Sequence, residues 1–204
     1  MTDPVLLTGS TGIVGNAIAH ALVARGRRVR ALVGSVDRAR KLVPAACELV
    51  AGDVTDPESV ARATAGCRVV YHAAGLPEQW FPDDGVFERV NVGGTRTMID
   101  AACAAGVERF VYTSTIDVFA WTPGRPFDES TIDPNPKGTA YERSKQAADR
   151  LVTEAMARGL PAVFLHPSAV YGPIAAGSPG TNNLIADLVA GRIPMLLPGT
   201  MPVV

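Results

Sequence analysis

Between residues 5 and 15 the chain reads "VLLTGSTGIVG", an apolar run followed by Gly9, Gly12 and Gly15 at three-residue spacing. A strand that ends in such glycines and runs into a helix turns tightly and lets its backbone approach a pyrophosphate, whose charge then sits at the helix N-terminus. The alternative is an ordinary tight turn. Here the apolar run before and the amphipathic stretch after supply the context that a bare glycine triad lacks, and they predict a dinucleotide-binding unit at the head of the chain.

The same alternation continues downstream. With "VLLTG" (5–9), predicted strands fall at 29–33, 47–53, 68–74, 109–115 and 162–167, and predicted helices at 12–26, 56–66, 87–106 and 139–159. Asp56 as N-cap and Pro57 at the first helical position open the second of these helices. The strands are continuously apolar, as in a parallel sheet covered on both faces. Short connections between alternating elements imply right-handed crossovers, hence an α/β, Rossmann-type doubly wound sheet with helices on both faces. Residues 1–170 read as the dinucleotide-binding domain with the catalytic residues. Residues 171–204, turn-rich and then helical over "LIADLVAGRIP", read as the start of an incomplete substrate lobe.

Composition narrows the partners. Nineteen Lys and Arg against 20 Asp and Glu give a net charge of −1, with no electrostatic footprint for nucleic acid or an anionic membrane. The apolar runs fall short of the ~20 residues of a membrane span, and no leader precedes "VLLTG", so a cytoplasmic enzyme is expected. Cys47, Cys67 and Cys103 are odd in number and widely spaced. They suit neither a disulfide framework nor a metal site and are expected to pack as small buried hydrophobes.

Strand C-termini point at the ligand crevice in this architecture. Asp53 and Val54 are therefore candidates for the adenine, with a simple turn acid as the alternative for Asp53. "AAG" (73–75) is placed to lie along the cofactor. An acid for the ribose 2′-hydroxyl is expected about 20 residues past the glycine turn, but Gly34 and Ser35 stand there. Asp37 comes late and is followed by Arg38, Arg40 and Lys41, which tilts the cofactor toward NADP(H) while leaving NAD(H) open, since basic clusters also form solvated helix faces.

"YERSK" (141–145) is polar in a largely apolar chain. Thr139 and Glu142 form a capping box, so a helix begins just before Tyr141 and puts Tyr141 and Lys145 on one face about one turn apart. A neighbouring ammonium is expected to lower the tyrosine pKa from ~10, tuning it to exchange a proton with a carbonyl or alcohol oxygen as hydride moves. Thr115, at the end of "VYTST", is the candidate partner for the substrate oxygen; Ser114 is the second candidate, aimed elsewhere by strand alternation.

Six ordered motifs, "TGSTGIVG", "GDVTD", "NVGGT", "GVERFVYTST", "YERSK" and "HPSAVYGP", make the chain resemble the extended short-chain dehydrogenase/reductase superfamily. It is most similar there to the dihydroflavonol-reductase-like and 3β-hydroxysteroid-dehydrogenase-like members, also grouped as NAD-dependent epimerase/dehydratase proteins. The resemblance implies a catalytic triad of Thr115, Tyr141 and Lys145. It further implies Gly9, Thr11, Gly12, Ile13 and Val14 at the pyrophosphate, Asp53 and Val54 at the adenine, and Ala73, Ala74, Gly75, Pro167 and Val170 along the nicotinamide half. Asn91 matches the family's structural or water-ordering asparagine, with the structural role favoured. Two departures stand out: His166 where the family often has Arg, and Gly34 where many NADP-using relatives carry Arg. Family members also usually run on for another hundred residues.

Trp80, Phe81, Phe119 and Trp121 lie in the loops expected at the pocket mouth, as apolar walls or as loop packing. His166 reads as a pocket group or a structural hydrogen-bonder. The activity implied is hydride transfer to or from a ketone or alcohol of a bulky, mostly apolar small molecule. The rivals are a nucleotide-sugar epimerase or dehydratase, suggested by "GTNNLIADLVAG" (180–191), and a non-catalytic dinucleotide-binding protein. A homodimer through helices 87–106 and 139–158 fits Ala101, Ala102, Ala104 and Ala105, which equally suit packing on the sheet.

Overall fold

The computed structural model describes residues 3–122, 124–126, 128–130, 132–173 and 181–193. Six parallel strands form one sheet: β1 (Val5–Thr8), β2 (Val29–Val33), β3 (Glu48–Ala51), β4 (Val69–His72), β5 (Arg109–Thr113) and β6 (Ala162–Leu165). Their spatial order, β3-β2-β1-β4-β5-β6, reverses between β1 and β4. That reversal opens the crevice into which the strand ends point.

Helices α1 (Ile13–Ala24) and α2 (Val36–Ala39) cover one face. Helices α3 (Pro57–Thr64), α5 (Gly94–Ala105) and α6 (Ala140–Ala157) cover the other. The larger core lies on this second side, where Leu6, Val70, Phe110 and Tyr112 meet Met98, Ala102, Ala148 and Val152. Each fully buried Leu or Phe there contributes ~1.5–3 kcal/mol. On the opposite side Val5, Leu7 and Val29 pack on Ala19 and Leu22 of α1.

The element starts follow from local chemistry. Asp56 accepts the backbone N–H groups of Glu58 and Ser59 to cap α3. The Thr139–Glu142 capping box closes reciprocally, with Glu142 N–H donating to Thr139 Oγ1 at 3.1 Å and Thr139 N–H to Glu142 Oε2 at 2.8 Å. Both starts are visible as sequence motifs.

The structure corrects several expectations. The helix expected at 87–106 begins earlier, as α4 (Gly85–Phe87), and passes through a π-helical turn over Glu88–Gly93 before becoming α5. Hydrophobic period alone does not reveal one wide turn within a helix. Short α2 is not among the predicted helices, because four residues carry no period. Apart from the strand at 29–33, predicted strands and helices end one or two residues sooner, as at β5, which stops at Thr113. Cys47 and Cys67 are buried, but Cys103 is exposed on α5. Coverage of the sheet is not uniform either, since Val163 and Leu165 of edge strand β6 are 40% and 42% exposed. Helix α7 (Thr181–Val189) has no buried residue. Most of the expected substrate lobe, 174–180 and 194–204, lies outside the described residues. Among the described residues no helix is long and apolar enough to cross a membrane.

Candidate active site

The C-terminal ends of β1, β4, β5 and β6 open onto a cavity of about 500 Å3. Its floor and walls come from Ile13 and Val14, then Ala73, Ala74, Gly75 and Glu78, then Thr115 and Asp117. Tyr141, Lys145, Pro167, Ser168, Val170 and Asn182 complete it. The structure thus brings together, around one cavity, residues singled out from the sequence on different elements: Ile13 and Val14 at the start of α1, Ala73 to Gly75 after β4, Thr115 after β5, Pro167 with Val170 after β6, and Tyr141 and Lys145 on α6.

The glycine turn is closed by contact. Gly9 has φ +74°, and a Cβ there would lie 2.4 Å from the carbonyl oxygen of Ala73. A Cβ on Gly15 would lie 2.2 Å from the Gly9 carbonyl oxygen, so α1 sits directly on the turn. Gly12 is the N-cap of α1; no side chain caps that end and no acid occupies the first turn. Uncapped amides and a positive dipole end suit an anion. The Ser10 hydroxyl is buried there without a hydrogen-bond partner. These features, beside half-buried Thr11, fit the pyrophosphate of a dinucleotide.

The adenine end is less defined. Asp53 Oδ1 accepts both the backbone N–H and the hydroxyl of Thr55, each at 2.8 Å, which is a turn acid's geometry. Val54 packs against Gly94 and the larger core. Arg38 is exposed on α2, where its backbone N–H meets the Ser35 Oγ cap. Arg40 pairs with Asp37 at 3.3 Å. None of these lines the cavity.

At the reactive end the side chains interlock. Thr115 caps a 3₁₀ turn (Ile116–Val118), giving its hydroxyl proton to Asp117 Oδ2 at 2.6 Å. The Thr115 hydroxyl and the Tyr141 phenol line the same cavity. Burial, then the Asp117 carboxylate, push Tyr141 up to about 12. The expected lowering by Lys145 is therefore overturned. The reason is geometric: the Lys145 ammonium turns inward, donating to the Tyr112 hydroxyl at 3.1 Å and the Thr113 carbonyl at 2.9 Å. Burial pulls Lys145 down to about 8, and Asp149 opposes that pull. His72, fully buried, bonds Thr8 at 2.8 Å and Thr95 at 3.2 Å; burial and Lys145 hold its pKa near 3, so it is neutral.

Asn91 takes a structural place: its Oδ1 accepts Leu76 N–H at 2.7 Å, and its Nδ2 donates to Ser144 Oγ at 2.9 Å. This ties the loop after β4 to α6. His166 is likewise a structural hydrogen-bonder, 2.8 Å from Asp149 and stacked on Phe164. Trp80 and Trp121 are 84% and 69% exposed, and neither lines the cavity; loop tips carry them outward. Phe119 is buried against His166 instead. Phe81 packs edge-on to Phe87, which packs edge-on to Tyr141.

Sequence reasoning missed Asp117, Asp149, Glu78 and Ser168. Asp149 had a signal, because 141, 145 and 149 continue one helical stripe. Ser168, whose buried hydroxyl has no partner, had none.

Comparison with known proteins adds a second line. A model described as the NAD dependent epimerase/dehydratase family matches residues 5–198. Over 95% of its length the chain is 33% identical to the "Sterol demethylase protein B" of Methylococcus capsulatus, covering 60% of that protein. Over 81% it is 37% identical to the 4-hydroxy-2-methyl-3-oxo-4-farnesyl-3,4-dihydroquinoline-1-oxide ketoreductase of Stigmatella aurantiaca, covering 50% of it. The UDP-glucose 4-epimerase of Thermus thermophilus, solved in complex with NAD, superposes with TM-score 0.77 at 26% identity, over 94% of this chain and 64% of that one. The chain spans between 44% and 60% of the length of these and other curated relatives it matches.

Proposed function

The chain belongs to the NAD-dependent epimerase/dehydratase family, and on that premise we propose that it moves a hydride between a nicotinamide dinucleotide and a ketone or alcohol of a bulky, mostly apolar substrate. One observation carries this reading: a phenol that lines the cavity together with Thr115 stands one helical turn from a buried ammonium on the same face of α6. The bound cofactor supplies or takes up the hydride. Tyr141 supplies the proton. With its pKa raised to about 12 it keeps that proton at neutral pH, which favours carbonyl reduction, where a donor is needed.

Thr115, whose hydroxyl donates to Asp117 Oδ2, lines the same cavity as the Tyr141 phenol and would face the substrate oxygen with it. Lys145 has two of its three protons bound inward and lines the cavity with the rest of its head, placed for a ribose hydroxyl. Gly9, Thr11, Gly12, Ile13 and Val14 would hold the pyrophosphate, and Ala73, Ala74, Gly75, Pro167 and Val170 the nicotinamide half. Asp53 and Val54 would flank the adenine and Arg38 would face a 2′-phosphate, which favours NADP(H); the NAD in the Thermus epimerase keeps NAD(H) in play. The names of the sterol-modifying and farnesyl-quinoline relatives support an apolar substrate.

Tyr141→Phe tests the reading. Carbonyl reduction should fall ~10²–10⁴-fold while dinucleotide affinity stays within a few-fold; retained turnover overturns it. Epimerase chemistry on a nucleotide sugar is the second reading, favoured by Asn182 at the cavity wall and by the Thermus neighbour. Cofactor that stays bound through gel filtration would select it. Pairing through α5 and α6 remains a proposal supported by exposed Ala104 and Ala105, with sedimentation as its check.

A further inference from the structure

Beneath the pocket lies a carboxylate that none of the roles above uses. Asp149 is fully buried on α6, two turns past Tyr141 and one past Lys145, so the three side chains share a stripe. Both of its oxygens are engaged. Oδ1 accepts the Ser114 hydroxyl at 2.5 Å, and Oδ2 meets the His166 ring at 2.8 Å. Ser114 directly precedes Thr115, and its N–H donates to the Leu165 carbonyl at 2.8 Å; Ile116 N–H donates to the Pro167 carbonyl at 3.2 Å. Asp149 thus joins α6 to the two strand ends that carry the Thr115 hydroxyl and the Pro167 wall.

A fully buried carboxylate persists where opposite charge and hydrogen bonds compensate its desolvation. The groups around Lys145 identify the compensation. Tyr112 from β5 is a neutral phenol, raised by burial. His72 from β4 is neutral. Tyr141, on α6 itself, holds its proton. His166, beyond β6, addresses Asp149 rather than the ammonium. Asp149 stands one turn past Lys145 on the same face of α6, both side chains buried, and its negative charge opposes the effect of burial on the ammonium.

We propose that Asp149 is a positioning residue of the reaction: the countercharge that keeps Lys145 an ammonium under the pocket, and the anchor that holds the β5 and β6 ends in register with α6. It rests on the reading of Lys145 given above, but acts through Lys145, Ser114 and His166 without touching the cavity. The stripe is then an ordered series of proton donor, cation and countercharge along one helix face.

The test does not need turnover. The full chain, labelled at lysine, is titrated by NMR at the Lys145 Nζ and Cε positions, alone and with NADPH. In Asp149→Asn the Lys145 midpoint should drop by at least one pH unit, and the alkaline limb of ketone reduction should move with it. An unchanged midpoint in a folded Asp149→Asn protein overturns the proposal. Ser114→Ala removes one hydroxyl and keeps the charge, so it should not lower the midpoint; a fall as large as that of Asp149→Asn also overturns it. Should Asp149→Asn not fold, Asp149→Glu decides: the midpoint should hold within half a unit while turnover falls several-fold, and a drop of a full unit refutes the countercharge. Failure of the catalytic reading looks different, as Tyr141→Phe would keep its turnover whatever Lys145 does.

Discussion

The two sides of the crevice are built by different means. On the β1 side, backbone fits against backbone: Gly9 under Ala73 and Gly15 on Gly9, with no room for a single added carbon. On the β5–β6 side, side chains do the fitting, through Lys145, Asp149, Ser114 and His166 joined across three elements. The first side tolerates no added bulk but carries little charge. The second buries an ammonium and a carboxylate within one helical turn of each other.

Gly9→Ala should show the largest effect. A Cβ 2.4 Å from a backbone oxygen at positive φ has nowhere to go, and a loss of ~3–5 kcal/mol with abolished dinucleotide binding is expected in denaturant melts and fluorescence titration. A milder result would mean the turn can shift and the contrast is weaker than described. Asn91→Ala, where side chains tie the loop after β4 to α6, strands the Leu76 amide, while the Ser144 hydroxyl keeps its bond to the Tyr141 carbonyl, and should cost ~1–3 kcal/mol.

Acid should act through His72. Folded, it resists protonation down to about 3, while unfolded it accepts a proton near its ordinary 6.5. Because the unfolded state binds the extra proton, stability falls as pH drops below 6.5, at ~1.4 kcal/mol per unit and ~2 kcal/mol by pH 5. His72→Gln should flatten that slope in thermal melts at pH 5, 6 and 7. Arg38→Ala should weaken NADPH but not NADH by about two- to fivefold, the scale of an exposed ionic contact. Equal change in both would remove the 2′-phosphate assignment. Gly34→Ala meets nothing within 4 Å and should stay within ~0.5 kcal/mol of the parent, showing that a glycine just past a strand is not intolerant by position alone.

The same contrast explains what could be read in advance. Gly9, Gly12 and Gly15 act over seven residues of chain, and Thr139 with Glu142 over four, so local pattern exposes them. Tyr141 and Lys145 share a helix, and spacing alone pairs them. The Lys145–Thr113 bond spans 32 positions and the Ser114–Asp149 bond 35, distances at which no periodicity speaks. That is why Lys145, expected to face Tyr141, turns to Tyr112 instead. The tryptophans mislead for a related reason: their position in a loop fixes which end of the sheet they occupy, but not whether they turn inward.

The wide turn at Glu88–Gly93 acts as a vernier. Each residue of an ordinary helix advances about 100°, so removing one there would restore even winding while swinging Phe87 about a quarter-circle off the Tyr141 ring. An insertion or deletion in that turn would thus shift the ring that packs on the Tyr141 phenol from some distance away, whereas the same change past Gly94 would lie beyond the wide turn.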